Sequence, residues 1–194
     1  MKYQRQRILV VGLGKSGLAT VRYLLRQGAD VIATDIKKAE ELGSIPEDLG
    51  RLNVFAEFGG HNRHTFLTSD MIVLSPGINP QTPLIREAVN KGVHIVNEPE
   101  LAFREITAPV IAITGSNGKT TTTELVGEIL KSSGRKVAIA GNIGTPLLSL
   151  NLGESWDCFV VELSSYQLEL IQSLRPAVAV FTNVSPNQIG RAHV

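Results

Sequence analysis

The chain has 194 residues, of which 43% are hydrophobic and 19% are charged, and its formal net charge is +1. This length allows one large or two small domains, and the balanced charge gives no sign of nucleic acid or an anionic membrane surface as a partner. The lone Cys158 lies in an apolar run, which excludes a disulfide and favours a small buried hydrophobe in a reducing compartment. Because the run at Ile8–Val11 is too short for an export signal or a membrane span, we expect a cytoplasmic protein.

The first elements are a strand, a glycine turn and a helix. The apolar run Arg7–Val11 predicts a buried strand, Gly12–Gly17 has the spacing Gly-x-Gly-x-x-Gly, and a helical pattern then ends at Gly28. A second strand, Val31–Thr34, ends on Asp35, as in a dinucleotide site where phosphates meet the helix N-terminus and the acid binds a ribose hydroxyl. The same glycines also fit a βαβ turn that binds no phosphate and only packs closely.

Further strands are predicted at Asn53–Phe58, Met71–Leu74 and Val93–Val96. A loop that begins at Ser75 follows the second of these, at the edge of a parallel sheet where ligands bind. It is also compatible with an ordinary Pro-Gly turn. We interpret a nearby pair of histidines as solvated, because no third metal ligand accompanies them. This pair is His61 and His64.

A fresh βα series begins near Ile106, so we place a domain boundary between about Pro99 and Ala108. The strand Val110–Thr114 runs into Gly115-Ser116-Asn117-Gly118 and then into a helix that begins near Lys119. Such a turn forms an anion site, in which Lys119 meets the outer phosphates and a following hydroxyl ligates Mg²⁺. The spacing departs from the usual phosphate loop, and a glycine turn that merely includes a lysine is the alternative. Four apolar residues of the helix are expected on one buried face, namely Leu125, Val126, Ile129 and Leu130.

Three later strands complete the pattern, at Lys136–Ala140, Cys158–Val161 and Ala177–Thr182. Glu162 follows the second strand, where a carboxylate beside a phosphate loop usually holds Mg²⁺, although a surface acid or strand-end cap has the same appearance. The whole pattern predicts an α/β protein, with an N-terminal Rossmann-like parallel-sheet domain followed by the first part of a P-loop ATPase α/β domain.

Several separated motifs resemble the Mur ligases of peptidoglycan synthesis. They are Ile113–Thr121, Gly141–Gly144, Glu162–Glu169 and Asn183–Asn187. The turn Gly12–Gly17 and the loop Ser75–Ile78 match, in order and spacing, the family member that adds D-glutamate, and the resemblance covers about residues 5 to 187.

The resemblance implies roles for individual residues. In that family the N-terminal fold binds the UDP portion of a sugar substrate rather than a dinucleotide. Matching its substrate contacts are Gly14, Lys15, Ser16, Asp35, Ile36, Lys37, Ser75, Pro76 and Gly77, with Ile36 and Lys37 at positions where the family often differs. Matching its ATP loop are Gly115, Ser116, Asn117, Gly118, Lys119, Thr120 and Thr121. Thr120 and Glu162 match magnesium positions, Asn142 matches a substrate position near the reacting groups, and the implied catalytic set is Lys119, Asn142 and Glu162.

The implied activity is an ATP- and Mg²⁺-dependent ligation that adds D-glutamate to UDP-N-acetylmuramoyl-L-alanine through an acyl phosphate, by a protein that is monomeric at full length. Three alternatives stay open at this point: a sister ligase for another amino acid, an NAD-dependent dehydrogenase, and a non-enzymatic nucleotide-binding module.

The expected domains are 1–106 for the UDP-sugar, 107–188 for ATP, and a non-native tail at 189–194. The tail looks like translated sequencing adapter, and Gln188 stands where the family has a histidine. On this interpretation the D-glutamate site lies outside the chain, which would not complete the ligation alone. An unpaired sheet edge would also lower its solubility.

Overall fold

The computed structural model describes residues 1–142 and 144–185. The chain divides into two compact units, Met1–Glu98 and a second that begins at Pro99. The division falls at the start of the interval in which the sequence placed a boundary. Ile143, Gln188 and the predicted tail at 189–194 lie outside the described residues.

The first unit is a five-stranded parallel sheet in the order β3-β2-β1-β4-β5. Its strands are β1 (Arg7–Val11), β2 (Asp30–Asp35), β3 (Phe55–Phe58), β4 (Met71–Leu74) and β5 (His94–Asn97). Its helices are α1 (Lys15–Arg26), α2 (Ile45–Arg51), α3 (Arg63–Leu67) and α4 (Pro83–Asn90), with a short 3₁₀ turn at Ala39–Glu41. Helix α5 (Glu98–Phe103) begins at the division, and all of it after Glu98 belongs to the second unit. The order reverses between β1 and β4, and ligands of open parallel sheets bind at such a point.

The central strands β1 and β4 are buried, as continuous apolar runs in a covered parallel sheet require. Helix α1 is followed by Gly28 at φ +81°, which ends it where the sequence predicted. Strand β3 begins two residues later than expected. The reason is Asn53, which adopts φ +53° in the turn after α2 and donates its N–H to the Gly50 carbonyl across 3.0 Å.

The second unit contains a four-stranded parallel sheet in the order β7-β8-β6-β9. Its strands are β6 (Val110–Thr114), β7 (Val137–Gly141), β8 (Cys158–Glu162) and β9 (Val178–Phe181). Its helices are α6 (Lys119–Ser132) and α7 (Ser165–Leu168), with a 3₁₀ turn at Leu147–Ser149. Among the described residues, no helix is long and apolar enough to cross a membrane.

Helix α6 packs on this sheet with a narrower apolar face than the sequence predicted. Val126 and Leu130 pack against the core, whereas Leu125 and Ile129 are 59% and 60% exposed. The helix approaches the sheet through Gly127, where a Cβ atom would lie 2.2 Å from Cδ1 of Ile139. A side chain here would require Ile139 or the helix to move, so the glycine is what allows this close approach.

Cys158 is buried in the same core, beside Ile113 and Val160. Burial raises the pKa of its thiol, which keeps the sulfur protonated and unreactive. The cysteine is therefore a small core residue, as predicted. Strand β9 lies at one edge of the described sheet, and its Val178 and Phe181 are exposed.

Two candidate nucleotide sites

The first candidate site lies at the carboxyl end of β1. Gly12 follows this strand with φ +87°, and a Cβ atom at Gly17 would lie 2.0 Å from the Gly12 carbonyl oxygen. Glycine at position 17 therefore lets the first turn of α1 rest on the loop. The helix is capped by Gly14 and carries no acidic residue in its first turn, with Lys15 exposed beside it. Its positive dipole end suits an anion, as do the N–H groups of its first turn, which have no partner among the described residues.

Asp35 holds this turn in place. Its Oδ2 accepts a hydrogen bond from the Leu13 N–H across 2.6 Å, and its Oδ1 accepts one from the Lys37 N–H across 2.9 Å. The residue is only 8% exposed, so the carboxylate connects the glycine turn to the loop after β2. Ile36 between them is 71% exposed at this edge of the unit. The contact of Asp35 with a ribose stays a prediction. Each carboxylate oxygen has one lone pair left that could accept a hydrogen bond from a ribose hydroxyl.

The Ser75–Gly77 loop is bonded to the same turn. Ser75 donates from Oγ to the Gly12 carbonyl across 2.6 Å and from its N–H to the Val11 carbonyl across 2.9 Å. Gly77 adopts φ +90° and is exposed. The predicted substrate residues of the first unit thus lie on three adjoining loops at the carboxyl ends of the strands.

His61 adjoins these loops without having been predicted as a ligand contact. Its Nδ1 lies 2.9 Å from Oγ1 of Thr34, and its ring packs against Phe66 with centroids 5.5 Å apart. Burial lowers the pKa of the imidazole, and the negative charges of Asp35 and Glu57 partly oppose this. His64 is exposed, and the described residues contain no group of three or more His, Cys, Asp or Glu side chains that could hold a metal ion.

The second candidate site is the phosphate loop, defined here as residues 115–121. Gly115 adopts φ +135°, and a Cβ atom there would lie 2.1 Å from Oγ1 of Thr182. Gly118 caps α6 in the left-handed conformation at φ +77°. After this reversal, the N–H groups of residues 118–121 have no hydrogen-bond partner in the part of the chain that the structure describes. Four neighbouring donors at a helix N-terminus form an anion site.

Lys119 places its ammonium group over the loop. Its Nζ donates to the Gly115 carbonyl across 2.8 Å and to the Ser116 carbonyl across 3.1 Å. A phosphate oxygen can replace these carbonyl oxygens as the acceptor, and its negative charge strengthens the hydrogen bond from the ammonium.

Glu162 brings the other predicted residues together. It ends the central strand β8, is 1% exposed, and accepts at Oε2 from the Thr120 hydroxyl across 2.9 Å. Its Oε1 accepts from Nδ2 of Asn142 across 3.0 Å, and its carbonyl accepts from the Asn142 N–H across 2.9 Å. A carboxylate and a hydroxyl beside a phosphate site are oxygen ligands of the kind that Mg²⁺ prefers, so the side chains present fit this ion. The alternative of a surface acid at Glu162 is wrong, since this carboxylate is buried.

A cleft of about 410 Å³ joins these groups. Its lining comprises Ser116–Thr121, Asn142, Glu162 and Ser164–Tyr166. Sequence reasoning gave no role to the last of these segments. Ser164 begins α7 with a capping box, in which Gln167 accepts from the Ser164 N–H across 2.9 Å, and this sets the direction in which the segment meets the cleft.

Comparison with known proteins gives both units the same relatives. Residues 6–97 match the family model for the Mur ligase MurD-like N-terminal domain, and residues 113–193 match that for the Mur ligase middle domain. The chain is 46% identical over 189 residues to a protein of Desulfosudis oleivorans and 45% identical over 192 residues to one of Geotalea uraniireducens. Both are named UDP-N-acetylmuramoylalanine–D-glutamate ligase. The matches cover 97% and 98% of this chain but only 41% and 42% of those relatives, so the chain spans about two fifths of their length.

Solved structures agree on the fold. A murein peptide ligase from Psychrobacter arcticus superimposes with a TM-score of 0.58 at 20% identity, over 95% of this chain and 44% of that one. A UDP-N-acetylmuramate–alanine ligase from Thermotoga maritima gives a TM-score of 0.56 at 24% identity, over 96% of this chain and 43% of that one.

Two consecutive domain models of one family account for most of the sequence, at residues 6–97 and 113–193. The chain belongs to the Mur ligase family.

Proposed function

We propose that this chain supplies the UDP-sugar-binding and ATP-binding parts of a cytoplasmic ligase that adds D-glutamate to UDP-N-acetylmuramoyl-L-alanine. The relatives named above carry this activity in their names and are more than 40% identical along nearly the whole chain. The observation that carries the proposal is the cleft of the second unit. A buried carboxylate, a hydroxyl, an ammonium and four N–H groups without a partner in the described part of the chain lie together there.

The chemistry that this cleft supports is phosphoryl transfer to a carboxylate. The alanyl carboxylate forms a bond to the γ-phosphorus of ATP, ADP leaves, and the amine of D-glutamate then displaces phosphate from the acyl phosphate. A carboxylate that approaches a triphosphate meets strong repulsion between like charges. Lys119 and the N–H groups at the start of α6 offset this charge, and they are already oriented before the reaction.

Thr120 and Glu162 would hold Mg²⁺, which neutralises charge on the phosphates when it is bound. Asn142 donates to Glu162 and lines the same cleft, so it fixes the direction of the carboxylate. Asn142 also matches a family position near the reacting groups, which supports a contact between its amide and the substrate carboxylate.

In the first unit, the proposed ligand is the UDP portion of the sugar substrate. The N-terminus of α1 receives the diphosphate, and the loops after β2 and β4 surround the nucleoside. Asp35 would contact the ribose while it keeps the glycine turn closed. A uridine nucleotide, rather than a nicotinamide dinucleotide, is expected because the unit matches the Mur ligase N-terminal domain.

Calorimetric titration of the 194-residue chain tests both assignments. We expect binding of ATP that strengthens with Mg²⁺, binding of UDP-N-acetylmuramoyl-L-alanine, and no binding of NADH. Binding of NADH without the UDP-sugar would refute the assignment of the first unit. Absence of ATP binding by a folded chain would refute that of the second.

A further inference from the structure

The phosphate loop is paired to a segment that lies outside it in sequence, residues 182–185. The main contact is the side-chain amide of Asn183. Its Oδ1 accepts from the Asn117 N–H across 3.0 Å, and its Nδ2 donates to the Asn117 carbonyl across 3.0 Å. One side chain thereby satisfies both backbone groups of one loop residue, as a neighbouring strand would.

Backbone and hydroxyl contacts extend this pairing on both sides. The Ser116 N–H donates to the Asn183 carbonyl across 2.8 Å, and the Ser185 N–H donates to Oγ of Ser116 across 2.9 Å. Thr182 lies with its Oγ1 2.7 Å from the Asn117 carbonyl oxygen. Residues 116 and 117 of the phosphate loop are therefore hydrogen-bonded to the segment that follows β9.

This pairing divides the N–H groups of the loop into two sets. Those of Ser116 and Asn117 are directed to Asn183, whereas those of residues 118–121 have no partner among the described residues. The left-handed Gly118 separates the two sets, because it reverses the chain between them.

We propose that Asn183 is the positioning residue of the nucleotide site. It fixes residues 116 and 117 before the nucleotide arrives, so that the phosphates are bound by the N–H groups of residues 118–121. The inference rests on the proposed ATP site and adds to it a residue beyond the loop. A loop that already has its bound shape loses less conformational freedom on binding, which strengthens affinity.

The variant Asn183→Asp gives the sharpest test. At pH 7.5 its carboxylate still accepts from the Asn117 N–H, but its second oxygen repels the Asn117 carbonyl. We expect MgATP affinity to fall about tenfold or more, as loss of an oriented hydrogen bond implies. A protonated carboxyl donates to that carbonyl as the amide does, so the affinity, measured relative to the unsubstituted chain, should recover as the pH is lowered to about 4, near the ordinary pKa of an aspartyl carboxyl.

Asn183→Ala removes both hydrogen bonds, so its affinity should stay low at every pH. Asn151→Asp is the matched control, since Asn151 is exposed in the same unit and the charge change is identical. It should bind MgATP as the unsubstituted chain does. Recovery by the Asp variant at low pH distinguishes loop positioning from a general loss of folding, which acid would not repair.

A measurement without nucleotide separates this inference from the proposed function. Hydrogen exchange of the Asn117 N–H, followed by NMR, should be slow in the unsubstituted chain and fast in Asn183→Ala. If the unsubstituted chain does not bind ATP, the ATP assignment fails and the exchange rates still test the pairing. Unchanged exchange in Asn183→Ala, or an Asp variant whose relative affinity does not change with pH, would overturn the role of Asn183.

Discussion

The hydroxyl of Thr120 and the carboxylate of Glu162 form a 2.9 Å hydrogen bond between the first turn of α6 and the end of β8. The two residues are 42 positions apart in sequence, and parallel pairing of β8 with β6 brings them together. Both residues line the phosphate cleft, so a divalent cation bound there would meet a hydroxyl and a negative charge at once. This hydrogen bond marks the expected metal position.

Glu162→Gln tests that position. Glutamine keeps the size of the side chain and can still bond to Thr120 and Asn142, but it lacks the charge that attracts Mg²⁺. We expect the enhancement of ATP affinity by Mg²⁺ to fall by roughly 10- to 100-fold, the range typical of altered metal environments. Titration of ATP with and without Mg²⁺ measures this. Glu169→Gln, at an exposed acid just beyond α7, is the control that should leave the enhancement intact. An undiminished Mg²⁺ effect in Glu162→Gln would contradict the assignment.

The position of Glu162 beside the phosphate loop could be predicted because its signal is local. When an apolar strand ends in an acid in a protein with a phosphate loop, the carboxylate is expected at the same end of the sheet as that loop. Asn183 belongs to a run that resembles the family, but no local pattern predicts that it pairs with the phosphate loop. This pairing depends on β9 lying next to β6, and strand order in a parallel sheet is a property of the whole fold rather than of any short run.

Asp35→Asn tests how the first site is held. The amide keeps one acceptor oxygen but directs an N–H₂ group at a backbone N–H, so one of the two hydrogen bonds to Leu13 and Lys37 is lost. Hydrogen bonds to charged groups contribute about 1.5–3 kcal/mol, and we expect the free energy of unfolding to fall by an amount in this range. Affinity for UDP-N-acetylmuramoyl-L-alanine should fall as well. Thermal unfolding and calorimetry check the two effects.

The control for this substitution is Asp30→Asn, at the exposed opposite end of the same strand. It should change neither quantity measurably. If Asp35→Asn behaves like this control, the carboxylate does not hold the turn.

Gly17→Ala tests the close contact within the glycine turn. The added methyl group would lie 2.0 Å from the Gly12 carbonyl oxygen, a distance that only movement of the helix can relieve. We expect destabilisation of about 2 kcal/mol or more, comparable to strongly overpacked sites, together with loss of UDP-sugar binding. Gly50→Ala is the contrasting case, because no atom lies within 4 Å of its Cβ position in helix α2. It should be stabilising by up to about 1 kcal/mol. Equal effects of the two substitutions on thermal unfolding would argue against the contact.

The same comparison shows what apolar spacing alone misses. The glycine turn was predicted because Gly12 and Gly17 form a recognised spacing with a known purpose. Gly127 in α6 carried no such signal, yet the helix approaches Ile139 through it and leaves Leu125 and Ile129 exposed. Apolar periodicity marks a helical face, but the width of the buried part depends on which residue allows the closest approach.

Glu100 is a buried acid that sequence reasoning did not single out. It lies in α5, is 1% exposed, and accepts at Oε2 from the N–H groups of Gln172 and Ser173 across 2.8 and 2.9 Å. Its Oε1 accepts from the Ser173 hydroxyl across 2.7 Å and from Nε of Arg104 across 2.9 Å. The carboxylate thus fixes the chain that follows α7, the helix whose first residues line the phosphate cleft.

Glu100 should make the stability of the second unit depend on acid. Burial raises the pKa of its carboxyl. The hydrogen bonds from Ser173, Gln172 and Arg104 together lower this pKa by more, so that it lies below the usual value. The folded state therefore binds this proton more weakly than the unfolded state. The stabilisation is present above the unfolded pKa of about 4.3 and is lost as the pH falls through the lower folded value.

The variant Glu100→Gln tests this dependence. Its unfolding at pH 7 should require less denaturant, and its stability should decline less steeply between about pH 5 and pH 3. Glu124→Gln, at an exposed position of α6, should retain the original slope. Denaturant unfolding across this range measures both, and a Glu100→Gln variant with the unsubstituted chain's acid sensitivity would show that another carboxyl is responsible.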